Sequence, residues 1–246
     1  MAGSADPVAL PLSSEDAHHA VSVLRIGAGE AIEVVDEDGA VWNAEVVEVA
    51  PGFVSARGFS PLEIHAPGPD VVLVQGVAKG EKMDDIVRHA VEIGASEVVP
   101  FLAERSIVRL DAAKRAARGE RWRRIAQSAA KQAHAARVPQ VHDPAGVAAA
   151  VAAVAGCDRV VVLWEDAGDG APGVAEALAG LRAADGARVA VVVGPEGGLS
   201  EAEVAAFADA GAVTATLGAN VLRTQTAALV ALALAVHELG GLGNAR

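Results

Sequence analysis

The sequence has little cysteine and few aromatic residues. Cys157 is the one cysteine among 246 residues, and there is no tyrosine. A single thiol cannot close an internal disulfide, and it has no partner for a metal site built on cysteine pairs. The seven histidines show no ligand spacing, so the sequence predicts no metal centre.

Long apolar runs and an N-terminal targeting segment are also lacking. No stretch reaches the roughly 18 to 20 uncharged apolar residues that span a membrane. The first residues lack the charged and then apolar layout of a signal peptide. With 52% hydrophobic residues, the chain can nevertheless bury a sizeable core. These features predict a globular, cytoplasmic protein without a membrane partner.

Positive charge is scarce in the chain as a whole and concentrated in one segment. The formal net charge is −12, which argues against an indiscriminate nucleic-acid binder. From Arg105 to Arg137, however, ten lysines or arginines stand against two acids. This block favours one dedicated surface for a large polyanion, and a solvated helical face without a ligand is the alternative. Within it, Trp122 is predicted to lie on the apolar side of a helix over about 120–136, after a break at Gly119.

Two kinds of pattern divide the chain. Residues 31–59 carry short, alternating apolar runs separated by turns, which indicate antiparallel strands. Residues 60–70 then bring three prolines, as a linker would. From Val71 onward, apolar runs of strand length alternate with helical segments, a pattern that specifies a parallel sheet covered by helices. We therefore predict a β domain over residues 1–68 and an α/β domain over residues 69–246.

Two glycine-bearing turns follow buried strands in the second domain. In VAVVVGPEGGLSEAE, residues 189–203, an apolar strand ends at a Gly-Pro-Glu-Gly-Gly turn, and Ser200 with Glu203 forms a capping box. In TLGANVLRTQTAAL, glycine again ends a strand, and Thr224 or Thr226 can cap the next helix. Such turns lie where open α/β sheets bind ligands, and their backbone groups can hold a polar planar molecule. A plain connecting turn is the alternative for the first of them.

These segments together resemble a known family. VVVGPEGGLSEAEV followed by LGANVLRTQTAAL is similar to the two C-terminal motifs of the SPOUT superfamily of methyltransferases, and specifically of the family that methylates N3 of a uridine in 16S ribosomal RNA. HHAVSVLRIGAGEAIEVVDEDG resembles the N-terminal RNA-binding segment of that family, and RWRRIAQSAAKQ resembles its basic helix. KGEKMDDIVRHAVEIGASEVVPFLAERSIVR resembles its first αβ unit, so the ordered set covers most of the chain.

The resemblance implies a fold, a cofactor and partners. The implied fold is an α/β SPOUT methyltransferase domain with a deep trefoil knot, preceded by a small PUA-like β-barrel domain that binds RNA. The implied cofactor is S-adenosyl-L-methionine. The implied partners are the 16S rRNA of the small ribosomal subunit and a second copy of the chain, in a homodimer that completes each site. The knot follows from the resemblance alone, because knots are too rare to be expected otherwise.

The resemblance also assigns residues to these roles. The cofactor loops and their neighbouring strand end comprise Leu163, Trp164, Glu165, Gly194, Pro195, Glu196, Gly197, Gly198, Leu217, Gly218, Val221, Leu222 and Arg223. The catalytic candidates are Arg105, Arg109, Glu196 and Arg223. The RNA-binding candidates are Arg25, Arg121, Arg124, Lys131 and Arg137. The arginines would stabilise a uracil anion, with phosphate contact alone as the alternative for each of them, and Glu196 would either accept a proton or orient its loop.

Two positions depart from the family pattern. Gln225 stands where the family usually has an acid, so a carboxylate base at this position is excluded here. Ala135 replaces an arginine of the basic helix, and Arg137 is a candidate substitute. The alternatives that stay open are a related enzyme acting on another target, such as a ribose 2′-hydroxyl, and an RNA-binding ribosome-assembly factor without catalytic activity.

Overall fold

The chain divides into two compact units, Met1–Pro67 and Gly68–Arg246. The computed structural model describes residues 8–35, 41–50, 52–61, 68–133, 135–168 and 170–242. The division between the units lies one residue before the boundary predicted from the sequence. Across the described residues, no helix combines the length and the apolar character that crossing a membrane requires.

The first unit is a curled antiparallel half-barrel of four strands. In chain order these are β1 (Val8–Pro11), β2 (Ala31–Val35), β3 (Val41–Ala50) and β4 (Phe53–Pro61). Their spatial order is β1, β4, β3, β2, and every neighbouring pair is antiparallel. The pairing of β3 with β4 shifts register twice, and such bulges bend a sheet. The strands predicted over residues 31–59 are confirmed, while the turn between β2 and β3 lies outside the described residues.

A short helix covers the apolar face of this half-barrel. Helix α1 (Ser14–His19) begins after Ser13, whose hydroxyl accepts from the Asp16 amide, and continues as a π-helical turn to Leu24. Its buried alanines pack against strand residues of the sheet. The turn ends at Arg25, which has a left-handed φ of 55° and is exposed. A left-handed conformation is uncommon for a residue with a β-carbon.

The second unit is built on a parallel sheet. Its main strands are β5 (Asp70–Gly76), β6 (Glu97–Leu102), β9 (Arg159–Leu163), β10 (Arg188–Val193) and β11 (Val213–Ala215), with short strands β7 (Gln140–Val141) and β8 (Ala145–Gly146). The spatial order is β11, β9, β10, β5, β6, β7, and β8 also pairs with β6. The central strands are buried almost throughout, as their continuous apolar sequences predict.

Helices cover both faces of this sheet. They are α2 (Lys82–Ile93), α3 (Ala112–Gln132), α4 (Val147–Ala153), α5 (Val174–Ala177), α6 (Glu201–Asp209) and α7 (Thr224–Glu238). Helices α2, α3, α5 and α7 contribute to the larger core, and α4 and α6 to the core on the opposite face. The alternation of strands and helices predicted from Val71 onward is confirmed.

Helix α3 corrects one prediction from the sequence. The break expected at Gly119 is absent, because one helix runs continuously from Ala112 to Gln132. Gly119 is buried, and a β-carbon there would overlap the Asp143 carboxylate. The glycine is therefore required by close packing against a neighbouring segment, and it does not end a helix. Trp122 is fully buried, as predicted.

The C-terminal helix returns from the edge of the sheet to its middle. Strand β11 is an edge strand, yet α7, the next element, packs on β5 and β10 and against α2. The first residue of α7, Thr224, donates a hydrogen bond to the Gly194 carbonyl at the end of β10. This path agrees with the knotted SPOUT fold that the resemblance implies.

Candidate functional site

The glycine loop, residues 194–198, is a tight turn that connects the end of the apolar strand β10 directly to helix α6. The Gly198 amide donates to the Pro195 carbonyl over 2.9 Å and closes a tight turn, in which Gly198 has a left-handed φ of 71°. Ser200 then caps α6 through the predicted capping box with Glu203. The turn therefore places the loop backbone at the carboxyl edge of the sheet, and the capping box stabilises the start of the helix that follows.

Strand β5 meets the glycine loop so closely that only glycine fits. A β-carbon on Gly76 would lie 2.5 Å from Pro195 Cδ and 2.6 Å from Pro195 N. The buried Gln75 side chain donates to the Gly76 carbonyl over 2.8 Å and to Thr224 Oγ1 over 3.0 Å. Thr224 Oγ1 in turn donates to the Gly194 carbonyl over 2.6 Å. Three segments distant in sequence are therefore fastened to each other at this edge.

Neither Thr224 nor Thr226 caps α7, contrary to both capping options, because both residues lie within the helix. The N-cap position is Arg223, which makes no side-chain cap, and the Thr224 hydroxyl is used to hold the glycine loop. The first amides of α7 are therefore not satisfied by a side chain of the N-cap residue.

The loop between β11 and α7 leaves backbone amides open. Gly218 has a left-handed φ of 101°, and its amide donates to Thr216 Oγ1 over 3.1 Å. Within the described residues, the amides of Leu217, Val221 and Leu222 donate to no protein acceptor. Leu217 and Leu222 pack on the larger core, whereas Val221 is 84% exposed. The loop can thus offer donors to a bound molecule.

The end of β9 lies beside the glycine loop as well. A β-carbon on Gly198 would come within 2.8 Å of Glu165 Oε1. Trp164 follows Leu163 at the end of β9, and its amide donates to the Ala215 carbonyl over 3.3 Å. The predicted strand-end segment and the glycine loop are brought together.

The turn that carries Arg105 also touches the glycine loop. A β-carbon on Gly197 would lie 2.6 Å from the Arg105 carbonyl oxygen and 3.0 Å from Arg105 Cβ. Arg105 is exposed, and so is Arg109, whose guanidinium lies 3.5 Å from the Glu104 carbonyl. A predicted arginine therefore sits directly against a predicted cofactor loop.

Glu196 is held by the side chain of Lys82, the first residue of α2, and by the backbone amide of Lys79. Lys82 Nζ donates to its carboxylate over 2.7 Å, and the Lys79 amide lies 3.3 Å from both carboxylate oxygens. Partial burial raises the pKa of Glu196, but the bonds from Lys82 and from backbone amides outweigh this effect, so the net pKa is below the ordinary value. A carboxylate with a lowered pKa is a weaker proton acceptor, so the geometry favours the orienting role over the basic one.

Known proteins are similar to this chain along most of its length. Residues 66–236 match the RNA methyltransferase domain family, and residues 12–57 match the PUA domain of RNA methyltransferases. This chain belongs to the RNA methyltransferase family. Ribosomal RNA small subunit methyltransferase E of Bacillus subtilis is 33% identical over 230 residues, which cover 92% of this chain and 89% of that protein.

Two similar methyltransferase structures contain S-adenosylmethionine. A methyltransferase of Legionella pneumophila, solved with its bound cofactor S-adenosylmethionine, is 27% identical with a TM-score of 0.77, and the match covers 95% of this chain and 93% of that one. Ribosomal RNA small subunit methyltransferase E of Neisseria gonorrhoeae, bound to S-adenosylmethionine, is 26% identical with a TM-score of 0.76, covering 94% and 92%. The predicted α/β SPOUT fold with its PUA-like domain is confirmed.

An RNA methyltransferase needs a basic surface, and two of the residues predicted for it are already engaged. Arg121 forms an ion pair with Asp84, whose side chain is 8% exposed and also accepts from Trp122 Nε1 over 3.1 Å. Arg137 donates to the Gly68 and Pro69 carbonyls over 3.3 and 2.7 Å. Both arginines therefore hold the RNA methyltransferase domain together, whatever they contribute to RNA.

The other predicted RNA contacts lie on open surface. Arg124 and Lys131 are exposed on α3, and Arg25 is exposed in the first unit. Within the described residues, Arg124 makes no ion pair or hydrogen bond through its side chain. It is consequently the clearer probe of a basic RNA-binding face on this RNA methyltransferase.

Several residues that build the site escaped sequence reasoning. Gln75, Ser106 and Thr224 are buried polar residues whose hydrogen bonds join distant segments, and the sequence indicated Thr224 and Glu203 only as helix caps. A polar residue inside an apolar strand, as in VVLVQG, was the one available signal, since a buried polar group requires a partner. Among the described residues, no cluster of three or more histidine, cysteine or acidic side chains could hold a metal ion.

Proposed function

We propose that this chain transfers a methyl group from S-adenosylmethionine to N3 of a uridine in the 16S rRNA of the small ribosomal subunit. A relative of 33% identity is named a ribosomal RNA small subunit methyltransferase, and two similar structures hold this methyl donor. The observation that carries the proposal is the meeting of the glycine loop, Arg105 and the start of α7, which directly follows the loop between β11 and α7, at one edge of the sheet.

The two loops are the proposed cofactor site. Their backbone N–H and C=O groups would hold S-adenosylmethionine, with Leu163, Trp164 and Glu165 beside them. The bound cofactor supplies an electrophilic methyl group on a positively charged sulfur. The site fits such a ligand, because it offers open amides and the Glu165 carboxylate. Lys82, which reaches the glycine loop, is paired with Glu196 and so is not available to select a phosphate.

The proposed catalytic task of the arginines is to stabilise an anion. Uracil N3 is a weak acid, and its lone pair becomes a good nucleophile only after the proton has left. Positive charge fixed beside the ring favours that anion, and Arg105, Arg109 and Arg223 are the residues that we assign to it. Glu196 orients the glycine loop through Lys82, in keeping with its lowered pKa. Gln225 cannot act as a base.

A homodimer is part of the proposal. One side of α7 carries a row of residues at helical spacing that remain at least partly exposed, namely Thr226, Leu229, Val230 and Ala233. This row is mainly apolar, and the opposite side of α7 is buried against the sheet and α2. An apolar row of this kind suits a two-fold interface, in which the same surface is used twice. In the proposed dimer, each site receives a substrate-side arginine from the other subunit.

The decisive experiment is methyl transfer with defined acceptors. The full chain is incubated with methyl-labelled S-adenosylmethionine and small ribosomal subunits from a strain that lacks the modification, and the RNA is digested to nucleosides for mass spectrometry. We expect the label in N3-methyluridine. Label in a 2′-O-methylated nucleoside would replace the proposed target by the ribose hydroxyl.

Cofactor binding separates the enzyme from a pure binding protein. Calorimetry with S-adenosylmethionine should show saturable heat. An absence of both heat and label, together with retained RNA binding, would favour the assembly factor over the enzyme.

A further inference from the structure

Glu203 does more than cap its own helix. Its side chain is buried, and both carboxylate oxygens are used: Oε2 accepts from the Ser200 amide over 2.8 Å, and Oε1 accepts from the Glu104 amide over 2.7 Å. The first bond belongs to the capping box, and a cap needs nothing more. The second joins α6 to a segment 99 residues away.

The turn reached by this second bond is also fixed from the opposite side. Ser106, which is 4% exposed, donates from Oγ to the Val77 carbonyl over 3.0 Å, and its amide donates to the Ala103 carbonyl over 3.0 Å. Val108 donates to Ser106 Oγ over 3.3 Å. The segment that carries Arg105 is therefore held by α6 on one side and by the end of β5 on the other.

Arg105 is held in place by its backbone and not by contacts of its side chain. It is exposed, and within the described part of the chain it forms no ion pair or hydrogen bond. Its place is set by its backbone, which lies against Gly197 and follows the Glu104 amide that Glu203 holds. Hydrogen bonds that a buried carboxylate accepts from an amide are stronger than bonds between neutral groups, so this bond is suited to fix the turn.

We propose that Glu203 is a positioning residue. It fixes the turn that carries Arg105 relative to the glycine loop, so that Arg105 meets the RNA substrate beside the methyl donor. The inference rests on the proposed function for the identity of the reaction. One carboxylate thereby links the helix that follows the cofactor loop to the turn that carries Arg105.

Two variants separate positioning from capping. Glu203→Asp keeps a carboxylate within reach of the Ser200 amide, but it is shorter by one methylene and withdraws from Glu104. Ser200→Ala is the complementary control, because it removes the hydroxyl cap of α6 and leaves the hydrogen bond between Glu203 and the Glu104 amide in place. Hydrogen exchange of the Glu104 amide reports this hydrogen bond itself and should become faster only in Glu203→Asp.

The two variants are expected to differ in opposite ways: one loses stability and the other loses activity. Ser200→Ala should lower the melting temperature and keep kcat/KM for RNA within about threefold of wild type, since N-cap loss costs mainly helix stability. Glu203→Asp should melt close to wild type and lose about tenfold or more in kcat/KM, because small misplacements of positioned groups cost up to ~10²-fold. Affinity for S-adenosylmethionine should change less than RNA turnover.

A double-mutant cycle with Arg105→Ala completes the test. If Glu203 acts through Arg105, Glu203→Asp should have no further effect in the Arg105→Ala background. The inference would be overturned if the kcat/KM losses of Glu203→Asp and Arg105→Ala multiplied in the double variant. Equal kinetic losses in Glu203→Asp and Ser200→Ala would also overturn it. If the wild-type chain binds RNA and transfers no methyl group, the proposed function fails, and the RNA affinities of the same variants then decide the inference by the same comparisons.

Discussion

Gly197 gives the sharpest prediction, because one methyl group separates it from a steric conflict. In Gly197→Ala the new β-carbon would stand 2.6 Å from the Arg105 carbonyl oxygen, closer than real β-carbons approach any neighbour. The carbonyl cannot easily yield, since its turn is held through Glu104 and Ser106. No left-handed φ is involved at Gly197, so the effect tests close approach alone. The glycine loop, the Arg105 turn or both must therefore shift.

The magnitude follows from packing and from alignment. Overpacking by one methyl group costs about 1–3 kcal/mol in unfolding free energy, and each kcal/mol lowers the Tm of a domain of this size by roughly 2–4 °C. The protein should therefore remain folded near room temperature. A displacement of about 1 Å at a reacting centre costs on the order of 10²-fold, so methyl transfer should suffer far more than stability. Gly197→Val should abolish cofactor binding.

The assays are calorimetry with S-adenosylmethionine, thermal melting and label transfer to RNA. Gly156→Ala is the matched control, because a β-carbon at Gly156 meets no atom within 4 Å and this glycine has no left-handed φ. The control should match wild type in all three assays. Wild-type cofactor affinity and turnover in Gly197→Ala would refute the assignment of the glycine loop.

Four further predictions address packing, RNA, pH and assembly. Asp84→Ala leaves the tryptophan indole N–H of α3 buried without an acceptor and should cost about 1–3 kcal/mol in urea unfolding; an unchanged midpoint contradicts this. Arg124→Glu should weaken RNA binding and lower the slope of log K against log salt by about one, while Arg182→Glu on another exposed segment should not; equal effects would leave α3 without a special role. The pKa of Glu196 lies below its ordinary value of 4.5, so its stabilising contribution is complete above that pH and is lost as pH falls through the folded-state pKa; Glu196→Gln should remove this acid-side loss from a plot of Tm against pH, and parallel plots for variant and wild type would refute it. Val230→Glu, which places a charge on the partly exposed side of α7, should yield monomers in light scattering, and a persistent dimer would exclude this interface.

Local sequence patterns determined the elements and the two loops. Apolar runs, the capping box of Ser200 with Glu203 and the position of glycines after β10 and β11 are properties of a few consecutive residues, and the structure has them where they were expected. The break at Gly119 was wrong for the same reason: a local pattern cannot show that a distant carboxylate needs the space.

Tertiary structure alone decided which segments meet. Gln75, Gly194 and Thr224 belong to three different parts of the chain, and the hydrogen bonds of Thr224 with the other two exist only because α7 returns from the edge of the sheet to its middle. The same holds for Glu203 and the Arg105 turn, whose bond joins residues 99 positions apart. Periodicity and turn chemistry act over about ten residues, whereas threading and long-range contacts depend on how the whole chain is packed. The sequence thus determined the separate pieces of the site, and the path of the chain determined their assembly.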